Sequence, residues 1–125
     1  MAFLLLVAHA PLASALKSVA EHSYPDCAPR LAVLDVTPEM SADDVEVQAR
    51  ALLGGAEEAL VLTDVFGATP SNGAQRLAAP KVRVVSGVNV PMLWRCLCYS
   101  AQPVDVLAER AAEGGTRGIV PAGIS

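Results

Sequence analysis

At 125 residues and 53% hydrophobic, with a mean hydropathy of +0.42, the chain is long enough to bury a core and too short for two, so one domain over 1–125 with one site is expected. Nine basic against thirteen acidic residues leave a net charge of −4, which disfavours a general affinity for nucleic acid or anionic lipid and points to a small molecule or another protein as partner. Three cysteines, Cys27, Cys96 and Cys98, are an odd number without CxxC spacing, which argues against a disulfide framework and a metal site and fits a reducing cytoplasm.

The first element is the apolar run FLLLVA at 3–8. It lacks the basic flank and cleavage site of a signal peptide, so it reads as a first strand that ends on His9. A helix is expected over 11–21, opening on Pro11, and a second strand follows at 31–36 (LAVLDV). The helix expected over 42–53 is announced by Ser41 with Asp43 and Asp44 in the first turn, a capping box with Asp in place of Glu. A third strand is read at 59–65 (ALVLTDV), a helix at 70–77 opening on Pro70, a fourth strand at 82–85 (VRVV) and a helix at 91–99 opening on Pro91. The last helix, 104–113, is expected to end at Gly114 and Gly115, leaving the tail GIVPAGIS as a candidate fifth strand. No run approaches the ~18 apolar residues needed to span a membrane.

Strand-length runs that are apolar throughout belong to strands covered on both faces, and their alternation with helices makes the expected fold α/β: a single doubly wound domain on a mainly parallel four-stranded sheet. In such sheets ligands bind beyond the carboxyl ends of the strands, which directs attention to His9, to 64–72 and to 87–91. A histidine at a strand end is either a satisfied, partly buried side chain or a reactive group. Asp64, inside an apolar run, is costly unless paired; it is either a cap or the partner of His9. A carboxylate on one ring nitrogen would leave the other as a nucleophile.

The stretch DVFGATPSN (64–72) has the composition of an anion-binding turn, with Gly67 for the bend, Thr69 as a cap and Pro70 starting the helix. It also describes an ordinary strand-to-helix turn. No GxxxxGK[ST] is present, so no direct use of ATP and no cofactor is expected. The remaining candidates read as bland: His22 as a solvated loop residue, Cys96 and Cys98 on different helix faces, Asp35 as a turn residue before Thr37 and Pro38, and Trp94 as core.

DVFGATPSN resembles the D-x-[WF]-G-[GA]-[ST]-P-x-N stretch, and SGVNVPML (86–93) the GVN-[LIV]-PML stretch, of mannose-family IIA components of the bacterial phosphoenolpyruvate-dependent sugar phosphotransferase system. The strand ending in a histidine matches too, and the likeness covers nearly the whole chain. It implies that His9 accepts a phosphoryl group from the phosphohistidine of HPr, that Asp64 orients the ring, and that Gly67, Thr69, Ser71 and Asn72 surround the phosphoryl group. Gly87, Asn89 and Pro91 would form the partner loop. The acceptor would be a separate IIB protein or a regulatory target, with the chain at most peripheral to a membrane transporter. Exchange of a C-terminal strand, as in some members, would make a homodimer, with the glycine pair 114–115 letting the tail swing out and Pro121 limiting the strand. The family usually has glycine after the histidine; Ala10 stands there, where a positive φ would be strained. The rival readings are the phosphoryl donor subunit of a dihydroxyacetone kinase and a regulatory module that binds partners according to its phosphorylation state.

Overall fold

The computed structural model describes residues 1–123 and arranges four strands in one sheet: β1 (Phe3–His9), β2 (Leu31–Val36), β3 (Ala59–Thr63) and β4 (Val82–Ser86). Their order is β2-β1-β3-β4, and every pairing is parallel. Five helices connect and cover them: α1 (Leu12–Ser23), α2 (Ala42–Leu53), α3 (Thr69–Gln75), α4 (Val90–Cys98) and α5 (Val104–Arg117). The doubly wound α/β fold is therefore as expected, with an all-parallel sheet.

Two cores lie on opposite faces of the sheet. Leu4, Leu6 and Ala8 of β1 pack with Leu60 and Leu62 beneath α1, α4 and α5, while Leu5 and Val7 pack with Val36 and Val61 beneath α2 and α3. Because successive side chains of a strand point to opposite faces, only an uninterrupted apolar run suits a strand buried on both. The chain leaves β1 through α1 on one face to reach β2, then crosses through α2 on the other face to reach β3. The winding thus reverses between β1 and β3. Register pairs Val7 with Thr63, so His9 and Asp64 emerge together at that carboxyl rim, where the helix connections diverge and leave a crevice.

The expected capping box forms: the Ser41 hydroxyl accepts from the Asp44 N–H at 3.1 Å, and the Asp44 carboxylate accepts from the Ser41 N–H at 2.9 Å. Other expectations are corrected. β3 stops at Thr63, so Asp64 and Val65 belong to the following loop. Thr69 is the first helical residue of α3; its cap position is held by Ala68, with no side-chain cap. α1 runs on to Ser23 and carries His22, exposed, in its last turn. No non-glycine residue among those described has a positive φ, so Ala10 is not strained in that way.

The largest correction concerns the C-terminus. α5 does not end at the glycine pair but continues to Arg117, and the described part of the tail, 118–123, forms no strand. Positions 124–125 of GIVPAGIS lie outside the described residues. Gly114 and Gly115 are buried within the helix because α4 passes too close for side chains: a Cβ on Gly114 would lie 2.8 Å from Arg95 Cβ, and one on Gly115 2.9 Å from Met92 Cε. The close packing of α4 on α5 offsets the helix-propensity cost of about 1 kcal/mol per glycine.

Candidate functional site

The site begins with a carboxylate surrounded by N–H donors. One oxygen of Asp64, Oδ2, accepts the His9 backbone N–H at 3.0 Å and lies 2.7 Å from ring atom Nδ1 of the same residue; Oδ1 accepts the Val65 N–H at 2.9 Å. Burial by itself raises the pKa of this carboxyl, but the hydrogen bonds and charge from His9 and the Val65 N–H prevail and hold it below the usual carboxylate value. Asp64 is therefore ionised at neutral pH and accepts only. Nδ1 consequently carries the ring proton, an assignment made from the network, and the Nε2 lone pair is left available. The ring is 53% exposed and the carboxylate 11%, so the arrangement is an anchored base with an open nucleophilic edge.

Beneath it, three hydroxyls tie the rim together. Thr63 Oγ1 donates to Ser86 Oγ at 2.9 Å, and Ser86 Oγ lies 3.0 Å from Ser71 Oγ. The Thr63 carbonyl accepts from both the Gly87 and Val88 N–H groups at 2.9 Å. The residue preceding Asp64 is thereby bonded to β4, to the loop after it and, through Ser86, to α3. We expect Ser86→Ala to cost about 1–3 kcal/mol in chemical denaturation, because two buried hydroxyls lose their shared partner. Ser86→Thr, which keeps the oxygen, should recover most of it.

The other expected site residues fall into two groups. Gly67 and Gly87, with φ of +91° and +94°, make the bends after β3 and β4 that side chains rarely permit. Thr69 is half-buried at the start of α3, and its hydroxyl is engaged by no hydrogen bond among the described residues. Pro91 is half-buried in the first turn of α4. The rest make hydrogen bonds within the fold. Ser71 is fully buried and committed to Ser86, while the Asn72 amide reaches back to the Gly67 carbonyl at a long 3.4 Å. Asn89 caps α4 by accepting from the Met92 N–H at 2.9 Å and donates to the Gly115 carbonyl at 3.0 Å.

Three residues stand in places that the sequence reading did not give them. Asp35 accepts from the Ser14 N–H at 3.1 Å and from the Ser14 hydroxyl, so it holds the first turn of α1 rather than the turn before Thr37; α1 has no side-chain cap at Pro11. Nothing local signals a bond between residues 21 apart. Phe66 is 76% exposed at the tip of the loop after Asp64, beside an exposed Val65. A large apolar residue between an aspartate and a glycine in a turn was its only signal. Trp94, expected in the core, is 38% exposed. Cys96 is buried, which pushes its thiol up to about 12, so it is no nucleophile at neutral pH.

A sequence family described as "PTS system fructose IIA component" matches residues 3–109. No curated protein matches the chain. Among solved structures it is similar to a phosphotransferase system component EIIA from Streptococcus agalactiae, with a TM-score of 0.89 and 27% identity over 97% of each chain. It is also similar to a mannose/sorbose specific IIA subunit of the phosphotransferase system from Enterococcus faecalis, with a TM-score of 0.88 and 25% identity over 99% of this chain and 96% of that one.

Proposed function

Since this chain belongs to the fructose/mannose-type IIA family of the sugar phosphotransferase system, whose members transfer phosphoryl groups, we propose that His9 is the residue that carries the phosphoryl group. The observation that supports this most directly is the 2.7 Å contact of His9 Nδ1 with the partly buried Asp64 carboxylate beneath a half-exposed ring. The Nε2 lone pair attacks the phosphorus of a phosphohistidine on HPr, in line with the N–P bond that breaks. The electron pair of that bond returns to the donor imidazole, and a new N–P bond forms on His9. The His9 ring becomes more cationic as the bond forms, and the ionised Asp64 carboxylate stabilises that charge by accepting from Nδ1–H, whose proton stays on the ring. Thr69, whose hydroxyl is engaged by no hydrogen bond among the described residues, and the loop bend at Gly67 serve the phosphoryl oxygens. Transfer then requires positioning and electrostatics rather than a cofactor.

The acceptor in this reading is a separate IIB protein or a regulated target in the cytoplasm, and exposed Phe66 and Val65 offer an apolar lip against which successive partners seat. Incubation with Enzyme I, HPr and labelled phosphoenolpyruvate tests the proposal. A phosphoramidate is expected, so the label should be lost in acid and retained in base. A protein that takes up no label, or takes up an acid-stable one, contradicts the assignment.

The proposed assembly is a homodimer. β4 is an edge strand, and Ile119 and Val120 follow α5 as exposed apolar residues, 72% and 78% accessible. Pairing this tail with β4 of a second copy would cover both, with Pro121 setting its limit. Light scattering should give a dimer for the full chain and a monomer for a chain ending at Gly118. A monomeric full chain, or a dimer unaffected by the truncation, rules out the exchanged tail.

A further inference from the structure

A second concave surface lies on the outer side of α4. Its volume is about 650 Å³, within the range of ordinary small-molecule sites, and of the rim residues only Pro91 borders it. One wall is aromatic: Tyr24, after the end of α1, meets Trp94 edge to face, with ring centroids 6.1 Å apart. The other is cationic. Arg95 and Arg117 both line the cavity, and among the described residues no carboxylate lines it.

The cations there are in excess of what the fold consumes. Arg95, Arg110 and Arg117 all lie within 4 Å of a single carboxylate, that of Glu113, at 3.2, 3.8 and 3.7 Å. Arg95 and Arg117, the two that line the cavity, share that one carboxylate, which leaves a charge of +1 there in a chain whose net charge is −4. Arg95 and Arg110 also lie over the Tyr99 ring, at 6.0 and 5.4 Å from its centre, whereas Arg117 is 73% exposed at the end of α5 and stacks on no ring. Gly114 and Gly118 form part of the lining, where the Arg95 side chain and the Pro91 ring lie against them.

We propose that this groove binds an aromatic anion of the nucleoside phosphate kind, with the base against Trp94 and Tyr24 and the phosphate on Arg117 and Arg95. Aromatic rings take the flat face of a base, and the guanidinium fork matches phosphate oxygens; the two walls together select a ligand that carries both. A simple sugar phosphate would use only the cationic wall, and an uncharged aromatic only the other.

Trp94 is the only tryptophan, so its indole N–H gives a single, assignable resonance in an isotope-labelled sample of the full chain. Titration with adenosine monophosphate should shift that resonance saturably, with an apparent Kd that rises with salt. Adenosine and inorganic phosphate are the two control arms, and each should bind at least tenfold more weakly than the nucleotide. Arg117→Ala, at an exposed position outside the core, should weaken nucleotide binding by roughly tenfold, the loss expected for one charge-assisted contact. The inference fails if the nucleotide gives no saturable shift. It fails equally if adenosine or phosphate alone matches the nucleotide, if Arg117→Ala changes nothing, or if the resonance shifts only with protein concentration, as it would were a second copy of the chain the occupant.

Discussion

His9→Ala is expected to abolish phosphorylation while leaving the fold intact. The imidazole is half-exposed at the end of β1 and contributes no apolar atoms to either core, so its loss opens no cavity. Chemically the loss is complete, because alanine has no lone pair to attack phosphorus and no water-derived substitute can carry a covalent phosphoramidate. Labelling from phosphoenolpyruvate through Enzyme I and HPr should fall to background in this variant, with an unchanged circular dichroism spectrum. His22→Ala should label like the parent, because His22 lies exposed on the last turn of α1 with no carboxylate partner among the described residues. Label that survives in His9→Ala and disappears in His22→Ala reverses the assignment.

Asp64→Asn is expected to slow transfer by about 10²-fold, the scale on which partners that orient a reactive imidazole act. Three N–H groups converge on this carboxylate: the His9 backbone, the His9 ring and the Val65 backbone. A carboxylate presents two acceptor oxygens, but an amide presents one oxygen and one donor. In the variant the NH2 group faces a backbone N–H in either orientation: that of Val65, or that of His9, where the imidazole must also move its proton to Nε2 and surrender the nucleophile. Single-turnover transfer from phosphorylated HPr measures the effect. Unchanged kinetics would remove Asp64 from the mechanism.

The same carboxylate gives a pH dependence of stability. Its folded pKa lies below the unfolded value, so the protein binds fewer protons at this group when folded, and the associated stability is fully present above the ordinary carboxylate range. It is lost as the pH falls through the depressed folded value. Denaturation of the parent and of Asp64→Asn should differ by a constant amount from neutrality down to about pH 5, and the gap should close in more acid solution. A gap that persists to low pH would mean that the variant is destabilised by something other than the lost charge.

Much of this architecture was present in one dimension. The runs at 3–8 and 59–62 have no polar interruption and dictate strands buried on both faces, because in a period of two any alternation would leave one face for water. The stop of the first run at His9, and an aspartate lodged at the end of the third, point to a pairing because an isolated carboxylate there would be costly. Glycines at 67 and 87 announce bends for which side chains are poorly suited, and both have the positive φ that makes them necessary. Local chemistry decides features of that kind, so they are readable without a fold.

Other features depend on which parts of the chain meet. Gly114 and Gly115 look like a helix end by propensity, yet the helix passes through them because the side chains of Arg95 and Met92 occupy the space where a Cβ would go. Ser71 looks like a phosphate ligand by its place in a motif, but β4 brings Ser86 against it and takes the hydroxyl. Asp35 looks like a turn residue until α1 presents Ser14 to it. The sequence by itself determined a parallel sheet covered on both faces and offered the His9–Asp64 pairing, through periodicity and the cost of an unpaired charge in an apolar run. Only the tertiary structure decided which hydroxyls face the opening, where the last helix stops and how three arginines come to share one glutamate, because each depends on packing distances between residues that no local pattern connects.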